Sequence, residues 1–137
     1  MRDADIFGLR SVNPQVRVLT NGWDNVPVWS PVADSIVFMR KQKDGNFDIF
    51  TIRPDGTNEK RLTTYPASDA HAVWSWDGKK ILWDSSEYGF KDESPLYDNS
   101  FQPYGQVWSM NPDGSGKRML TDSRWEDSLP AYVPPAK

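Results

Sequence analysis

Three aspartates recur at one spacing in this 137-residue chain: Asp24, Asp69 and Asp127 stand five residues before Trp29, Trp74 and Tyr132. A carboxylate at a fixed offset from a large aromatic admits two chemistries. It can accept backbone N–H bonds and fix a loop. Joined in a ring with its counterparts, it can instead bind a hard cation such as Ca²⁺, which prefers oxygen ligands, or the basic group of a partner. His71 is the single histidine and lies two residues after Asp69, in the slot that Val26 and Leu129 hold beside the other two aspartates. A histidine there either packs, lining a channel, or binds. Trp23 and Trp125, one and two residues ahead of a repeat aspartate, are interaction anchors or packing residues. Tyr97 and Phe101 belong to an aromatic-rich segment and complete the candidate set.

The chemistry that is missing is equally informative. With one histidine and no cysteine, the chain has no Ser-His-Asp or Cys-His candidate and no thiolate or multi-histidine metal site. Gly114-Ser115-Gly116 sits in a turn and does not form Gly-x-Ser-x-Gly. The adjacent acids Asp92 and Glu93 are a weak basis for glycoside chemistry. The expectation is a protein that is not an enzyme and needs no cofactor beyond a possible Ca²⁺. Sixteen basic against nineteen acidic residues leave a net charge of −3, so no electrostatic footprint for nucleic acid exists. No apolar run approaches the roughly 20 residues of a membrane helix. Membrane insertion is not expected, and the amino-terminal residues lack the apolar centre of a signal peptide.

These residues need a scaffold, and it is written in short apolar runs. Between Asp48 and Trp83, four stretches (48–52, 59–63, 70–75 and 79–84) show partial period-two alternation, the mark of half-buried strands. Asp55-Gly56 and Asp77-Gly78 stand between runs where a tight hairpin needs residues that tolerate positive φ. The unit recurs upstream and downstream. Thr20 and Thr63, each closing a Leu-Thr pair, are 43 residues apart, and Thr63 and Thr121 are 58 apart because residues 87–105 are inserted. A period near 43 built from four strands is that of a β-propeller blade. Helical periodicity is nearly absent, so the fold class is all-β with four-stranded antiparallel blades.

At Pro54-Asp55-Gly56, Lys60-Arg61-Leu62-Thr63, the lone Asp69 and Trp74-Ser75-Trp76-Asp77-Gly78-Lys79-Lys80-Ile81, the chain resembles the propeller repeat of the TolB family. The same repeat occurs in propellers attached to prolyl-oligopeptidase-like hydrolases. The likeness covers about three repeats. The first departs from it, with Asn13-Pro14-Gln15 in place of Pro-Asp-Gly and Val32-Ala33-Asp34 in place of Trp-Asp-Gly. The resemblance implies a propeller in a periplasmic or exported protein, while the cysteine-free sequence leaves the compartment open.

One partial propeller domain is expected over residues 1–137, with repeats at about 5–40, 48–85 and 106–134 and the insert at 87–105. Consecutive antiparallel strands place the Asp-Gly hairpins on one face and the blade-to-blade loops and the insert on the other. Loops carry function, so the second face is the candidate binding face. The aromatics of the insert argue that it is ordered and shapes that face. The function expected is protein or peptide binding there. The alternatives are the propeller portion of a larger exported peptidase or glycan-processing enzyme, and a sugar- or cation-binding module. Three repeats cannot close a ring alone, which predicts a homodimer completing six blades.

Overall fold

The computed structural model describes residues 17–88, 105–123 and 127–133, together with the backbone of Phe7 and Gly8. The first strands, β1 (Phe7–Gly8) and β2 (Arg17–Val18), pair with each other. A four-stranded sheet follows, in the order β3 (Asp24–Trp29), β4 (Ile36–Lys41), β5 (Phe47–Ile52) and β6 (Lys60–Arg61). A second four-stranded sheet runs β7 (Asp69–Trp74), β8 (Ile81–Ser85), β9 (Gln106–Met110) and β10 (Arg118–Met119). Every pairing is antiparallel and joins sequence neighbours. The sheets part between β6 and β7, so residues 48–85 hold the outer pair of one blade and the inner pair of the next.

The hairpins form for the reason the sequence gives. Gly56, Gly78 and Gly114 have φ of +85°, +67° and +84°, the left-handed region that a side chain disfavours. The aspartate before each glycine accepts a backbone N–H two residues on, from Thr57 at 2.9 Å, Lys79 at 3.1 Å and Ser115 at 2.9 Å. Each Asp-Gly pair thus supplies both the turn and its side-chain brace.

Both sheets are buried on two faces, as stacked blades require. Between them lie Val37, Met39 and Ile49 from the first and Trp74, Ile81 and Trp83 from the second. Trp74 also donates its indole N–H to the Val28 carbonyl at 3.1 Å, tying the inner strands of neighbouring blades together. On the opposite face of the first sheet, Ile36, Phe38, Phe50 and Ile52 pack with Leu19. Burying a side chain of this size contributes roughly 1.5–3 kcal/mol, so the alternating runs are enough to hold the stack.

Two features depart from the sequence expectation. Each inner strand carries a bulge, between Asn25 and Val28 in β3 and between Ala70 and Val73 in β7. Val26 and His71 sit in these bulges with left-handed φ of 49° and 48°, and Leu129 has 51° at the matching point of the third repeat. Residues 128–134 are expected to form a first strand, but 127–133 form none among the described residues. A first strand needs a second to pair with, and no described strand follows it.

Candidate binding face

The strand order places the loop 19–23, the loop 62–68 and the 3₁₀ turn Ser86–Tyr88 at one end of the blades, the start of β3 and β7 and the end of β8. Asp24 opens β3 and is 2 % exposed. Its two oxygens accept Nε and Nη2 of Arg40, at 2.6 and 2.9 Å, in a bidentate ion pair across the register Asp24–Arg40. Arg40 also donates to both oxygens of Glu59, at 2.6 and 2.9 Å, and lies over the rings of Phe38 and Phe50 at 5.2 and 4.8 Å. The hydrogen bonds to Asp24 raise the basicity of the guanidinium further. Gly22 leaves the room: a Cβ there would come within 2.7 Å of Arg40 Nε.

Asp69 opens β7 in the same way and is 3 % exposed. It has no arginine; Trp83 Nε1 donates to its Oδ1 at 3.0 Å, with the Ser85 and Thr63 hydroxyls also bonded to the carboxylate. Burial pushes the Asp69 carboxyl up, and nearby Glu87 adds to the rise. Asp127 is half-buried and anchors its loop through its own N–H, which donates to the Gly105 carbonyl at 2.8 Å. Asp24 and Asp69 therefore fix strand starts through side-chain donors rather than loop N–H groups. Among the described residues no group of three or more His, Asp or Glu side chains is placed to hold a metal ion, so the three aspartates do not make the expected Ca²⁺ ring.

His71 faces a partner that sequence reasoning missed. Its Nδ1 lies 2.9 Å from Asp84 Oδ2, and Asp84 is 0 % exposed. The same oxygen accepts the Leu129 N–H at 3.3 Å, joining the second blade to the start of the third repeat. Burial raises the Asp84 carboxyl, opposed by His71. Asp84 lies inside an apolar run, Ile81-Leu82-Trp83-Asp84, and a charge within such a run is the signal that could have marked it.

Trp23 is 49 % exposed with Lys41 Nζ 4.5 Å above its ring, which makes it a surface aromatic rather than a packing residue. Trp125, Tyr97 and Phe101 lie outside the described residues. The sequence did not single out a cavity of about 150 Å³ beneath the loop 62–68. Asp69, Trp83 and Trp108 form its floor, and Tyr65, Glu87 and Lys117 its rim. Trp83 and Trp108 are 5.9 Å apart, and Tyr88 stacks on Trp108 at 6.0 Å with the planes 13° apart. Trp108 Nε1 is enclosed without an acceptor among the described residues.

No protein-family model matches the chain. It is 29 % identical over 133 residues to an uncharacterised protein of Agrobacterium fabrum, covering 94 % of this chain and 39 % of that protein. Among solved structures, a protein provisionally assigned as TolB from Agrobacterium tumefaciens matches with a TM-score of 0.66 and 24 % identity, over 85 % of this chain and 40 % of that one. TolB from Acinetobacter baumannii matches with a TM-score of 0.61 and 20 % identity, over 86 % of this chain and 26 % of that one. The fold is that of a TolB-like β-propeller. The propeller likeness rests on the two four-stranded blades, and the chain spans about two fifths of the length of the relative it matches. Within the propeller, the aspartates Asp24 and Asp69 are the same repeat position carrying different partners.

Proposed function

We propose that the chain is a non-enzymatic binding portion of a TolB-like propeller, taking a protein or peptide on the face that bears loop 62–68 and the turn Ser86–Tyr88. The observation that carries this reading is the cavity of about 150 Å³ there, with the aromatic rings of Tyr65 and Tyr88 standing 56 % and 51 % exposed beside it. Exposed aromatics around a concavity are the anchors that protein interfaces use most. Trp23, at the matching end of the preceding blade, extends the same surface. The single histidine supports a non-catalytic role, because its Nδ1 is engaged by a buried carboxylate that also docks the next repeat.

The test is a random peptide library displayed on phage and panned against the immobilised 137-residue chain. A shared sequence should be enriched, and its binding should fall about tenfold or more in Tyr65→Ala while persisting in Arg53→Ala at the opposite end of the blades. No enrichment, or binders indifferent to Tyr65→Ala, overturns the proposal.

A further inference from the structure

The two blades can be laid on one another by register. Trp29 pairs with Ile36 and Trp74 with Ile81, which makes Phe38 the counterpart of Trp83 and Arg40 the counterpart of Ser85. Phe38 pairs with Phe50, and Trp83 with Trp108. Both blades therefore carry an inner-strand aspartate (Asp24, Asp69) beside a pair of rings, 5.6 Å apart in the first and 5.9 Å in the second. In the first blade, Arg40 fills the space between them. In the second, the arginine position is Ser85, and a cavity of about 150 Å³ lies among Asp69, Trp83 and Trp108. The cavity is bounded by the counterparts of the groups that Arg40 packs against.

We propose that this cavity is an arginine pocket: it receives the guanidinium of an arginine side chain in a partner peptide, as Arg40 fills the preceding blade from within the chain. The proposal rests on reading this face as a peptide-binding face. A guanidinium suits the site because it stacks on aromatic planes and forks to carboxylates. Asp69 stands at the floor, and Glu87, half-buried on the rim, supplies a second carboxylate where Glu59 serves Arg40. Among the described residues neither Asp69 nor Glu87 takes part in an ion pair. Burial raises the Asp69 carboxyl, which is the condition that an arriving cation relieves. Lys117 is the opposing charge on the rim. It occupies the register position of Glu59, just ahead of the outer strand, and donates to the Gly114 carbonyl at 2.6 Å.

The experiment uses the 137-residue chain and N-acetyl-arginine methylamide as probe, with the neutral isostere N-acetyl-citrulline methylamide beside it. Binding is read by NMR from the indole N–H signals of Trp83 and Trp108. The arginine probe should shift both signals with a Kd on the order of millimolar, and citrulline should bind about tenfold more weakly or worse. Glu87→Gln should weaken binding about fivefold, while Lys117→Glu should tighten it several-fold by restoring the carboxylate of the first blade. Ser85→Arg should place a guanidinium in the cavity from within and abolish binding. Equal binding of citrulline, no response to Glu87→Gln and Lys117→Glu, or no shift at about 50 mM probe overturns the pocket. Panned peptides that lack arginine yet need Tyr65 would overturn the pocket and leave the peptide-binding face standing. A bound arginine probe with no enriched peptide would do the reverse.

Discussion

One residue type plays three parts in this chain, and the difference lies in what surrounds the carboxylate. Asp55, Asp77 and Asp113 sit on exposed turns, where hydrogen bonds from the Thr57, Ser75 and Ser115 hydroxyls, with backbone N–H groups beside them, hold them below the usual range. Asp48, Asp69 and Asp84 are buried, which pushes all three up, Asp48 to about 6 despite its ion pair with Arg61 at 2.6 Å. An acid raised in the folded state takes up its proton there first, so folding gains stability as pH falls through the folded value. For Asp48 that gain runs from about pH 6 down to its ordinary 3.8. The turn aspartates act oppositely, but only as pH falls below 3.8. The melting temperature should therefore rise by several degrees from about pH 7.5 to about pH 5 and fall again below about pH 3.5. Asp48→Asn should flatten the rise, and a melting temperature that declines steadily from pH 7.5 would refute the account. The turn aspartates were legible in the sequence because their partners are two residues away. The partners of Asp24, Asp69 and Asp84 come from neighbouring strands, which spacing alone does not pair.

At the scale of the element, the inner strand is the irregular one. The matching slots of Val26, His71 and Leu129 could be read from sequence, yet their shared left-handed backbone could not, because none is glycine or asparagine. A bulge lets one strand carry an extra residue against its neighbour, and here it lies just inside the aspartate that begins the strand. Val26, 40 % exposed with φ of 49°, is the least suited to it, since a β-branched side chain in this region is a steric outlier. Val26→Asn should stabilise the fold by about 1 kcal/mol, because asparagine tolerates the left-handed region and little apolar surface is lost. Thermal unfolding measures it, and an unchanged or lower melting temperature would mean that Val26 is held by contacts stronger than its strain. The outer strands were legible in place but not in length: residues 59–63 read as a strand, and only Lys60–Arg61 pair, with Leu62 and Thr63 turning into the core. Thr63 Oγ1 accepts the Ile49 N–H at 2.9 Å, so a side chain takes over where the backbone ladder ends.

At the scale of the whole molecule, the repeat period, the hairpin signals and the apolar alternation all pointed to stacked four-stranded blades, and the structure has them. What a period cannot give is how the outer blade faces are covered. The second blade meets the third repeat only through residues 127–133 among those described, and Leu129 and Val133 there remain 69 % and 84 % exposed. Apolar surface of this kind at the end of a stack is what a further blade covers in a closed ring. A longer chain would bring that blade itself; for the 137-residue chain, we propose that a second copy does. Ten strands are described here, so two copies supply about twenty of the roughly twenty-four in a ring of six four-stranded blades. A two-fold pairing is also the commonest closure for identical chains. Light scattering at several micromolar should give a particle near twice 15.7 kDa. Val133→Glu, which sets a charge on the exposed end of that segment, should shift the particle toward half that mass without unfolding it. A wild-type chain that stays at 15.7 kDa and still unfolds cooperatively would refute the dimer, and the open end of the stack would then be stable in water as it stands.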